Sequence, residues 1–313
     1  MQQLKGFFSK KYHYNFLKID MSKKLKIITG ASGYIGKVLA KELNKKKIKF
    51  IGIDKQPRND KSTIKLDLKD KNKTFKFFNK IDCDVIFHLA TYSSAAYKKN
   101  FEVCFMEDLV SLQNLIFSIK KNKKTPRLIY MSSSYVYSGL KINKSSGVNE
   151  KKLLNPVHNF GFAKKFFEEY LTKYYPNSII FRLSSVFGEG EFIRGNTKAN
   201  IYNMAIEAKK NNEVIIWGKG NRKIQYVYIR DLMKYLILKN KIIGIFNLAG
   251  KEYVKISVLS KKICNFFGSK VVYLKDKKEG ETLSYMNTNK LRYKMKNYFT
   301  DFEKNLVNYL KKF

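Results

Sequence analysis

Short apolar runs alternate along the chain with longer segments in which apolar residues recur at helical spacing. The short runs are typical of buried parallel strands, and the longer segments are typical of amphipathic helices. We expect strands at 25–29, 48–53, 84–90, 127–132 and 178–183. We expect helices at 34–43, 101–120 and 160–174. This alternation predicts an α/β fold, a Rossmann-type, doubly wound parallel sheet covered by helices.

A glycine-rich segment, TGASGYIG at residues 29–36, connects the first predicted strand to the first predicted helix. Gly30, Gly33 and Gly36 allow a tight turn, a close approach of the backbone to a ligand and close helix packing. The helix N-terminus offers N–H groups and the positive end of a dipole to a pyrophosphate. The second strand is followed by Asp54, whose carboxylate could hold the adenosine ribose hydroxyls. These features predict a dinucleotide site; the alternative is a glycine turn in an unrelated α/β protein.

The regular alternation ends after Ser184, where short extended and helical pieces follow among several glycines. Such a change of pattern is where a substrate-binding lobe could be inserted. The expected domains are a dinucleotide-binding domain at 21–183, with returning segments near 226–250, and a smaller C-terminal substrate-binding lobe at 184–225 and 251–313. Within the returning segments, 226–229 and 243–248 are expected to join the main sheet as strands.

The composition permits a sizeable core, since 44% of the 313 residues are hydrophobic. The formal net charge of +38 raises the question of a nucleic-acid partner. However, only 7 of the 63 basic residues are arginine, and no basic stripe with interleaved aromatic residues stands out. We therefore expect no nucleic-acid partner and assign the charge to lysines on every solvated face.

The usual signals for membrane insertion, metal binding and secretion are not found in this sequence. No apolar run approaches the about 18 residues of a membrane-spanning helix, so we expect no membrane span. Cys83, Cys104 and Cys264 are isolated, so we expect no metal site and a reducing, cytoplasmic location. Residues 1–20 lack the apolar block of a secretory signal. We expect a disordered N-terminal extension or a start codon assigned upstream of Met21; a targeting segment is the alternative.

Further motifs follow the glycine-rich segment in a fixed order. They are Asp67 in KLDL, His88-Leu89-Ala90, SSSYVY at 132–137, Asn155-Pro156, Lys164, RLSSVFG at 182–188, YVYIRD at 226–231 and Asn247-Leu248. Together with residues 29–36, they resemble the extended short-chain dehydrogenases/reductases, specifically the nucleotide-sugar epimerases and dehydratases. The resemblance runs from about residue 24 to residue 291. It implies NAD as the cofactor, which takes a hydride from a sugar carbon and returns it, and a nucleotide-sugar substrate.

The resemblance also implies the functional residues. The cofactor-binding residues are Gly30, Ser32, Gly33, Tyr34, Ile35, Gly36, Asp54, Asp67, Leu68, Leu89, Ala90 and Lys164. The substrate-binding residues are Ser134, Ser185, Arg222 and Arg230, and the catalytic positions are Ser133, Phe160 and Lys164. For several of these residues, a purely structural role is the alternative. These alternatives are a solvated lysine for Lys164, a strand-end cap for Ser133, a turn aspartate for Asp67 and surface ion pairs for Arg222 and Arg230.

One departure from the family pattern affects the chemistry. The family's catalytic tyrosine falls on Phe160, four residues before Lys164, in the segment NFGFAK. In the family, this tyrosine takes the proton from a sugar hydroxyl, while the lysine holds the nicotinamide ribose and lowers the phenol pKa. Phenylalanine cannot accept a proton, and losing a general base costs about 10²- to 10⁴-fold in rate. Tyr135, Tyr137 and His158 are alternative acid–base groups; core packing is the alternative for Tyr137, and a position beside the helix cap for His158.

Three hypotheses of function remain. The first is a cytoplasmic, NAD-dependent nucleotide-sugar epimerase or related oxidoreductase that acts in surface-polysaccharide synthesis. For this enzyme a homodimer is a possible oligomeric state. The second, which Phe160 favours, is a cofactor-binding regulator or partner subunit without turnover. The third is a basic nucleic-acid binder, whose binding would depend steeply on salt. Because Asp54 would repel a 2′-phosphate, we expect NAD to be preferred over NADP.

Overall fold

The computed structural model of the protein describes residues 25–57, 63–120, 125–140, 147–190, 200–237, 242–295 and 298–313. The expected N-terminal extension at 1–20 lies outside these ranges. Within them, no helix combines the length and the apolar character that crossing a membrane requires. The same ranges contain no group of three or more His, Cys, Asp or Glu side chains placed to hold a metal ion.

A seven-stranded parallel sheet forms the central layer of the fold. Its strands are β1 Lys26–Thr29, β2 Phe50–Asp54, β3 Thr63–Lys65, β4 Val85–His88, β5 Arg127–Ser133, β6 Ser178–Leu183 and β10 Gly244–Leu248. They lie in the order β10-β6-β5-β4-β1-β2-β3, so the sheet grows outward from β1 in both directions. This is the doubly wound topology, and the predicted Rossmann-type α/β fold is confirmed.

The strands read as apolar runs because both faces of the sheet are covered. Every residue of β4 and of β6 is buried. In the centre of the sheet, Ile28 of β1 pairs with Gly52 of β2 on one side and with Phe87 of β4 on the other. The predicted strand at 243–248 also joins this sheet, since β10 pairs with β6 in parallel.

Helices connect the strands and bury one face each. In the described ranges they are α1 Tyr34–Lys45, α2 Lys71–Phe78, α3 Ser94–Lys99, α4 Phe101–Lys120, α5 Asn159–Tyr174, α6 Ile201–Asn211, α7 Ile229–Leu236, α8 Ile256–Phe267, α9 Asn289–Lys294 and α10 Phe302–Leu310, with a 3₁₀ turn at Ser134–Tyr137. In α1, the buried residues Tyr34, Gly36, Leu39 and Leu43 recur at helical spacing. Asp70 caps the N-terminus of α2, because its carboxylate accepts a hydrogen bond from the Lys73 N–H.

Two small sheets lie outside the main sheet. One contains β7 Ser185–Phe187, β9 Lys223–Tyr228 and β11 Tyr253–Lys255, and the other contains β8 Glu213–Trp217 and β12 Lys270–Leu274. The prediction that 226–229 returns to the main sheet is therefore wrong. The position beside β6 is occupied by β10, so β9 pairs with β7 and β11 instead, and Ile229 begins α7.

The chain divides into two compact units. Unit 1 consists of residues up to Ser93 together with Glu102–Tyr130, and Ile27, Ile86 and Leu115 are among its fully buried side chains. Unit 2 consists of Ser94–Phe101 and Met131–Phe313, with a core that includes Phe181 and Leu248. The domain boundaries expected from the motifs, at 183 and 225, stay a prediction.

Candidate functional site

The glycine-rich turn in unit 1 follows β1 and leads into α1. Gly30 has a φ of +69°, and a Cβ there would lie 2.7 Å from the Ala90 nitrogen. A Cβ at Gly36 would lie 2.3 Å from the Gly30 oxygen. Real Cβ contacts are not this short, so only glycine allows these backbone segments to approach. Gly33, the N-cap residue of α1, donates its N–H to the Gly30 oxygen at 3.0 Å and closes the turn.

The His88-Leu89-Ala90 segment is held against this turn by Thr29. The Thr29 Oγ1 lies 2.9 Å from the His88 Nδ1 and accepts a hydrogen bond from the Ala90 N–H at 3.2 Å. Thr29 and His88 are fully buried, and Ala90 is half-buried. The small side chain of Ala90 thus leaves the space above the glycine turn open.

A cavity with about 730 Å³ of empty space opens in unit 1 at the carboxyl ends of its strands. Seven of the predicted cofactor-binding residues line it, namely Gly30, Gly33, Asp54, Asp67, Leu68, Leu89 and Ala90. Ligands of doubly wound sheets bind at this edge. The remaining predicted residues in unit 1 are Ser32, Tyr34, Ile35 and Gly36, in the turn and the first residues of α1.

The Asp54 carboxylate is fixed at the end of β2 by two backbone donors. Its Oδ2 accepts from the Ser32 N–H at 3.1 Å, and its Oδ1 accepts from the Gln56 N–H at 2.9 Å. A carboxylate has about four acceptor positions, so both oxygens retain capacity for ligand hydroxyls. Asp67 has the turn role that was its alternative, because its Oδ1 accepts from the Lys69 N–H at 2.9 Å, and it also lines the cavity.

The sequence analysis missed a charged cluster on the cavity wall. Glu107 of α4 accepts from the Lys69 Nζ at 2.5 Å, from the Tyr92 hydroxyl at 2.6 Å and from the Lys55 Nζ at 3.3 Å. The Lys55 Nζ also donates to the Tyr92 oxygen at 2.7 Å. The hydrogen bonds from Lys69 and Tyr92 lower the pKa of Glu107 to about 2. Sequence position could have indicated two members of this cluster. Lys55 directly follows Asp54, and Tyr92 lies two residues after Ala90, the last residue of the His88-Leu89-Ala90 motif.

Asp108 belongs to the same wall. It is buried, and both of its carboxylate oxygens accept from the Tyr92 N–H at 3.2 Å. Glu107 and Asp108 therefore hold Tyr92 by its hydroxyl and by its backbone, respectively. This pair fixes the segment after β4 against α4.

The predicted catalytic positions lie together in unit 2, around the 3₁₀ turn. Ser133 ends β5, and its Oγ accepts from the Tyr135 N–H at 3.2 Å, which is the capping role that was its alternative. A Cβ at Gly161 would lie only 2.3 Å from the Tyr135 oxygen, so the glycine lets α5 pack directly on the turn. The Phe160 ring then packs edge-on against Tyr135 and Tyr97, at centroid distances of 5.8 and 5.5 Å.

Lys164 follows Phe160 by one helical turn. It is 2% exposed, and its Nζ lies 5.4 Å from the centre of the Phe160 ring. Burial to this degree argues against the solvated lysine that was the alternative. Beside this ammonium the chain places a half-buried phenyl ring.

Among the alternative acid–base groups, Tyr137 is part of a buried polar network. Its hydroxyl accepts from the Arg182 Nη1 at 2.6 Å and donates to the Asn247 Oδ1 at 2.8 Å. Arg182 in turn pairs with Glu168 at 2.6 Å, where both side chains are almost fully buried. Burial raises the pKa of the Tyr137 hydroxyl to about 12. These contacts agree with core packing as the role of Tyr137.

Tyr135 and His158 are more accessible. The half-buried Tyr135 ring packs edge-on against His158 at 5.5 Å as well as against Phe160. Within the part of the chain that the structure describes, the Tyr135 hydroxyl has no hydrogen-bond partner. The exposed His158 places its Nε2 2.7 Å from the Glu281 Oε2. Of the three, Tyr135 is therefore the group with a hydroxyl available to a ligand.

The predicted substrate-binding residues occupy different surroundings. Ser134 begins the 3₁₀ turn, and the exposed Ser185 begins β7. The Arg222 Nε donates to the Glu281 oxygen at 2.8 Å. Arg230 makes an ion pair with Glu189 at 2.6 Å, a surface pair of the kind that was its alternative. The roles of these four residues stay predictions.

Comparison with known proteins identifies the family. The sequence model of the NAD dependent epimerase/dehydratase family matches residues 26–249, more than half of the chain. The chain belongs to this family. NAD is accordingly its cofactor, as predicted, and the glycine turn, Asp54 and the cavity of unit 1 fit the adenosine and pyrophosphate parts of that molecule.

A curated relative is the dTDP-D-glucose 4,6-dehydratase of Dictyostelium discoideum, which is 28% identical over 273 residues. The match covers 76% of this chain, and the chain spans only 61% of the length of that relative. Among solved structures, the UDP-glucose 4-epimerase of Thermus thermophilus in complex with NAD has a TM-score of 0.79 at 17% identity, covering 92% of this chain and 99% of that one. The UDP-N-acetylglucosamine 4-epimerase of Methanobrevibacter ruminantium, in complex with UDP-N-acetylmuramic acid, has a TM-score of 0.80 at 23% identity, covering 92% and 97%. These structural likenesses show the fold.

Proposed function

We propose that this protein is a NAD-dependent nucleotide-sugar epimerase or a related oxidoreductase whose proton transfer is altered at Phe160. The observation that carries the proposal is the pairing of Phe160 with a buried Lys164 one helical turn later, in a chain of this family. Burial of an ammonium is costly, so a buried Lys164 needs a task that offsets this cost, and holding the nicotinamide ribose is such a task. Bound NAD would supply the hydride acceptor and donor.

Each residue then has a defined task. Asp54 accepts hydrogen bonds from the adenosine ribose hydroxyls, with its orientation set by the Ser32 and Gln56 N–H groups. Lys164 holds the nicotinamide ribose, as the family resemblance implies. The Ser133 Oγ already accepts from the Tyr135 N–H, so its own O–H is left to donate to a substrate oxygen.

The group that accepts the proton from the sugar hydroxyl still has to be assigned. Phe160 cannot serve, and Tyr137 is committed to Arg182 and Asn247. Two tyrosines pack against Phe160; Tyr97 is buried and Tyr135 is half-buried, so Tyr135 is the first candidate for a substitute base. Without a substitute, turnover would be slower by about 10²- to 10⁴-fold than in an enzyme that has the base.

The substrate lobe belongs to the same proposal. Residues 184–225 and 251–313 would bind the nucleotide sugar, with Ser134, Ser185, Arg222 and Arg230 as contacts. Arginine suits a diphosphate because its planar fork donates two parallel hydrogen bonds. For Arg230 to serve, it must exchange its exposed pair with Glu189 for the ligand, which costs little at an exposed site.

We also propose a homodimer and a cytoplasmic role in polysaccharide biosynthesis. Support for the homodimer comes from apolar side chains that α4 and α5 each leave exposed, namely Val103, Met106, Phe117, Phe162 and Tyr174. Light scattering of the purified protein measures its molar mass and so tests the homodimer. A monomer at micromolar concentration would contradict it.

A second candidate function is a NAD-binding regulator or partner subunit without turnover, which Phe160 favours. The deciding experiment has two readouts on the purified protein. The first is the amount of co-purified NAD, and the second is single-turnover reduction of that NAD by a panel of nucleotide sugars. Bound NAD with reduction by any member supports the enzyme. Bound NAD with no reduction by any member supports the regulator, and no bound NAD contradicts both.

A further inference from the structure

The cofactor cavity of unit 1 has a local charge opposite to that of the whole chain. The formal net charge of the protein is +38, yet the charged residues that line this cavity are four carboxylates and two lysines. They are Asp54, Asp67, Glu107, Asp108, Lys55 and Lys69. At neutral pH these six groups carry a formal net charge of −2.

Both lysines are bound to one acid. The Glu107 carboxylate accepts from Lys69 through Oε1 at 2.5 Å and from Lys55 through Oε2 at 3.3 Å. The Tyr92 hydroxyl completes the arrangement, since it donates to Glu107 and accepts from Lys55. The side chains remain partly accessible, at 25% for Glu107, 44% for Lys55 and 34% for Lys69, so a ligand could compete for the lysines.

Asp54 by itself does not settle the choice between NAD and NADP. A carboxylate at the end of the second strand favours ribose hydroxyls, but a cation beside it accommodates a 2′-phosphate. Lys55 is the next residue in the chain, and Lys69 lies on the same cavity wall. In such a lysine-rich protein, discrimination against NADP requires that these two ammonium groups be engaged by a partner other than the phosphate.

We propose that Glu107 is a specificity-determining residue for the cofactor. By binding Lys55 and Lys69, it engages the two cations that line the cavity, so that they are less available to a 2′-phosphate, and it lowers the formal charge of these three side chains from +2 to +1. The cavity then accepts NAD and discriminates against NADP. This inference concerns the cofactor alone, so it holds whichever sugar is turned over and whether or not turnover occurs.

The test is binding of NAD and of NADP by isothermal titration calorimetry, after co-purified dinucleotide has been removed. Glu107→Gln keeps the size of the side chain and one acceptor oxygen but removes the charge. The Kd for NADP should fall by about 10-fold relative to the Kd for NAD. Glu102→Gln is the matched control, because Glu102 is an exposed acid of the same helix that does not line the cavity. It changes the net charge equally and should leave the ratio unchanged.

A second variant keeps the proposal testable if Glu107→Gln does not fold. In the wild-type background, Lys55→Met with Lys69→Met should change the ratio by less than about 3-fold, because both ammonium groups already bind Glu107. In the Glu107→Gln background, the same pair should restore the wild-type ratio. An unchanged ratio in Glu107→Gln, an equal change in Glu102→Gln, or tighter wild-type binding of NADP than of NAD would each overturn the proposal.

Discussion

The Nζ of Lys164 lies 5.4 Å from the centre of the Phe160 ring, one turn apart on α5. The lysine is buried and the ring is half-buried, so the charge faces a surface that cannot exchange a proton. Attraction between an ammonium and an aromatic face accounts for part of the stability of this arrangement. The pair therefore provides a positioned cation without a neighbouring ring that could transfer a proton.

A phenol at position 160 should accelerate hydride transfer to bound NAD. We expect Phe160→Tyr to raise single-turnover hydride transfer by at least ~10²-fold with the right nucleotide sugar, because it supplies a general base beside a cation that lowers its pKa. Stopped-flow absorbance of bound NAD measures this. Phe162→Tyr, at an exposed position of the same helix, is the control and should change nothing.

If the wild type is already fast and Phe160→Tyr is no faster, another group is the base. Tyr135→Phe should then abolish the transfer while leaving the Kd for NAD unchanged. Retention of full activity in that variant would remove Tyr135 from consideration and leave His158 as the next group to mutate.

Loss of the Asp54 carboxylate should weaken cofactor binding. Hydrogen bonds to a charged group contribute about 1.5–3 kcal/mol, so Asp54→Ala should raise the Kd for NAD by roughly 10- to 100-fold. Titration calorimetry measures the change. Asp70→Ala removes an acid that caps α2 and does not line the cavity, so its Kd should match that of the wild type. Equal affinities in all three proteins would contradict the ribose role of Asp54.

The buried Glu168–Arg182 pair should dominate the stability of unit 2. Glu168→Gln leaves the Arg182 charge buried without a counterion, which costs about 3 kcal/mol of unfolding free energy. Urea unfolding measures this cost. Glu169→Gln is the matched control on the same helix, since its exposed contact with Lys165 at 3.9 Å should contribute less than about 0.5 kcal/mol. Similar losses in the two variants would show that burial does not govern the pair.

The low pKa of Glu107 predicts a pH dependence with a definite sign. The pKa falls from 4.5 to about 2 on folding, so the stabilisation is fully present above pH 4.5 and is lost as the pH falls toward 2. The difference in unfolding free energy between wild type and Glu107→Gln should therefore be larger at about pH 7 than at about pH 3. A difference that stays constant over this range would mean that the contacts of Glu107 do not stabilise the fold.

Local patterns in the sequence predicted much of the fold and part of the site. Helix α4 occupies 101–120 as expected, and the glycine turn connects β1 to α1 as expected. The Phe160–Lys164 pair follows from a separation of four residues on a helix. Contacts of this kind depend on periodicity and on close neighbours, which a single sequence contains.

The parts that failed depend on long-range pairing. Strand β9 was expected in the main sheet, but which strand lies beside β6 is decided by β10, and no local pattern distinguishes the two. The Glu107 cluster was missed because its members are far apart in sequence, with Lys55 and Glu107 separated by 52 positions. In a chain with 63 basic residues, nothing in the composition marks the two lysines that meet this acid.

The contact between Gly161 and the Tyr135 oxygen has a consequence for how this protein can change over time. Because backbone atoms set the distance between α5 and the 3₁₀ turn, the ring at position 160 stays where it is whether or not it carries a hydroxyl. A single oxygen atom can thus be added to this ring without rebuilding the surrounding structure. One substitution, Phe160→Tyr, is enough to place a phenol there.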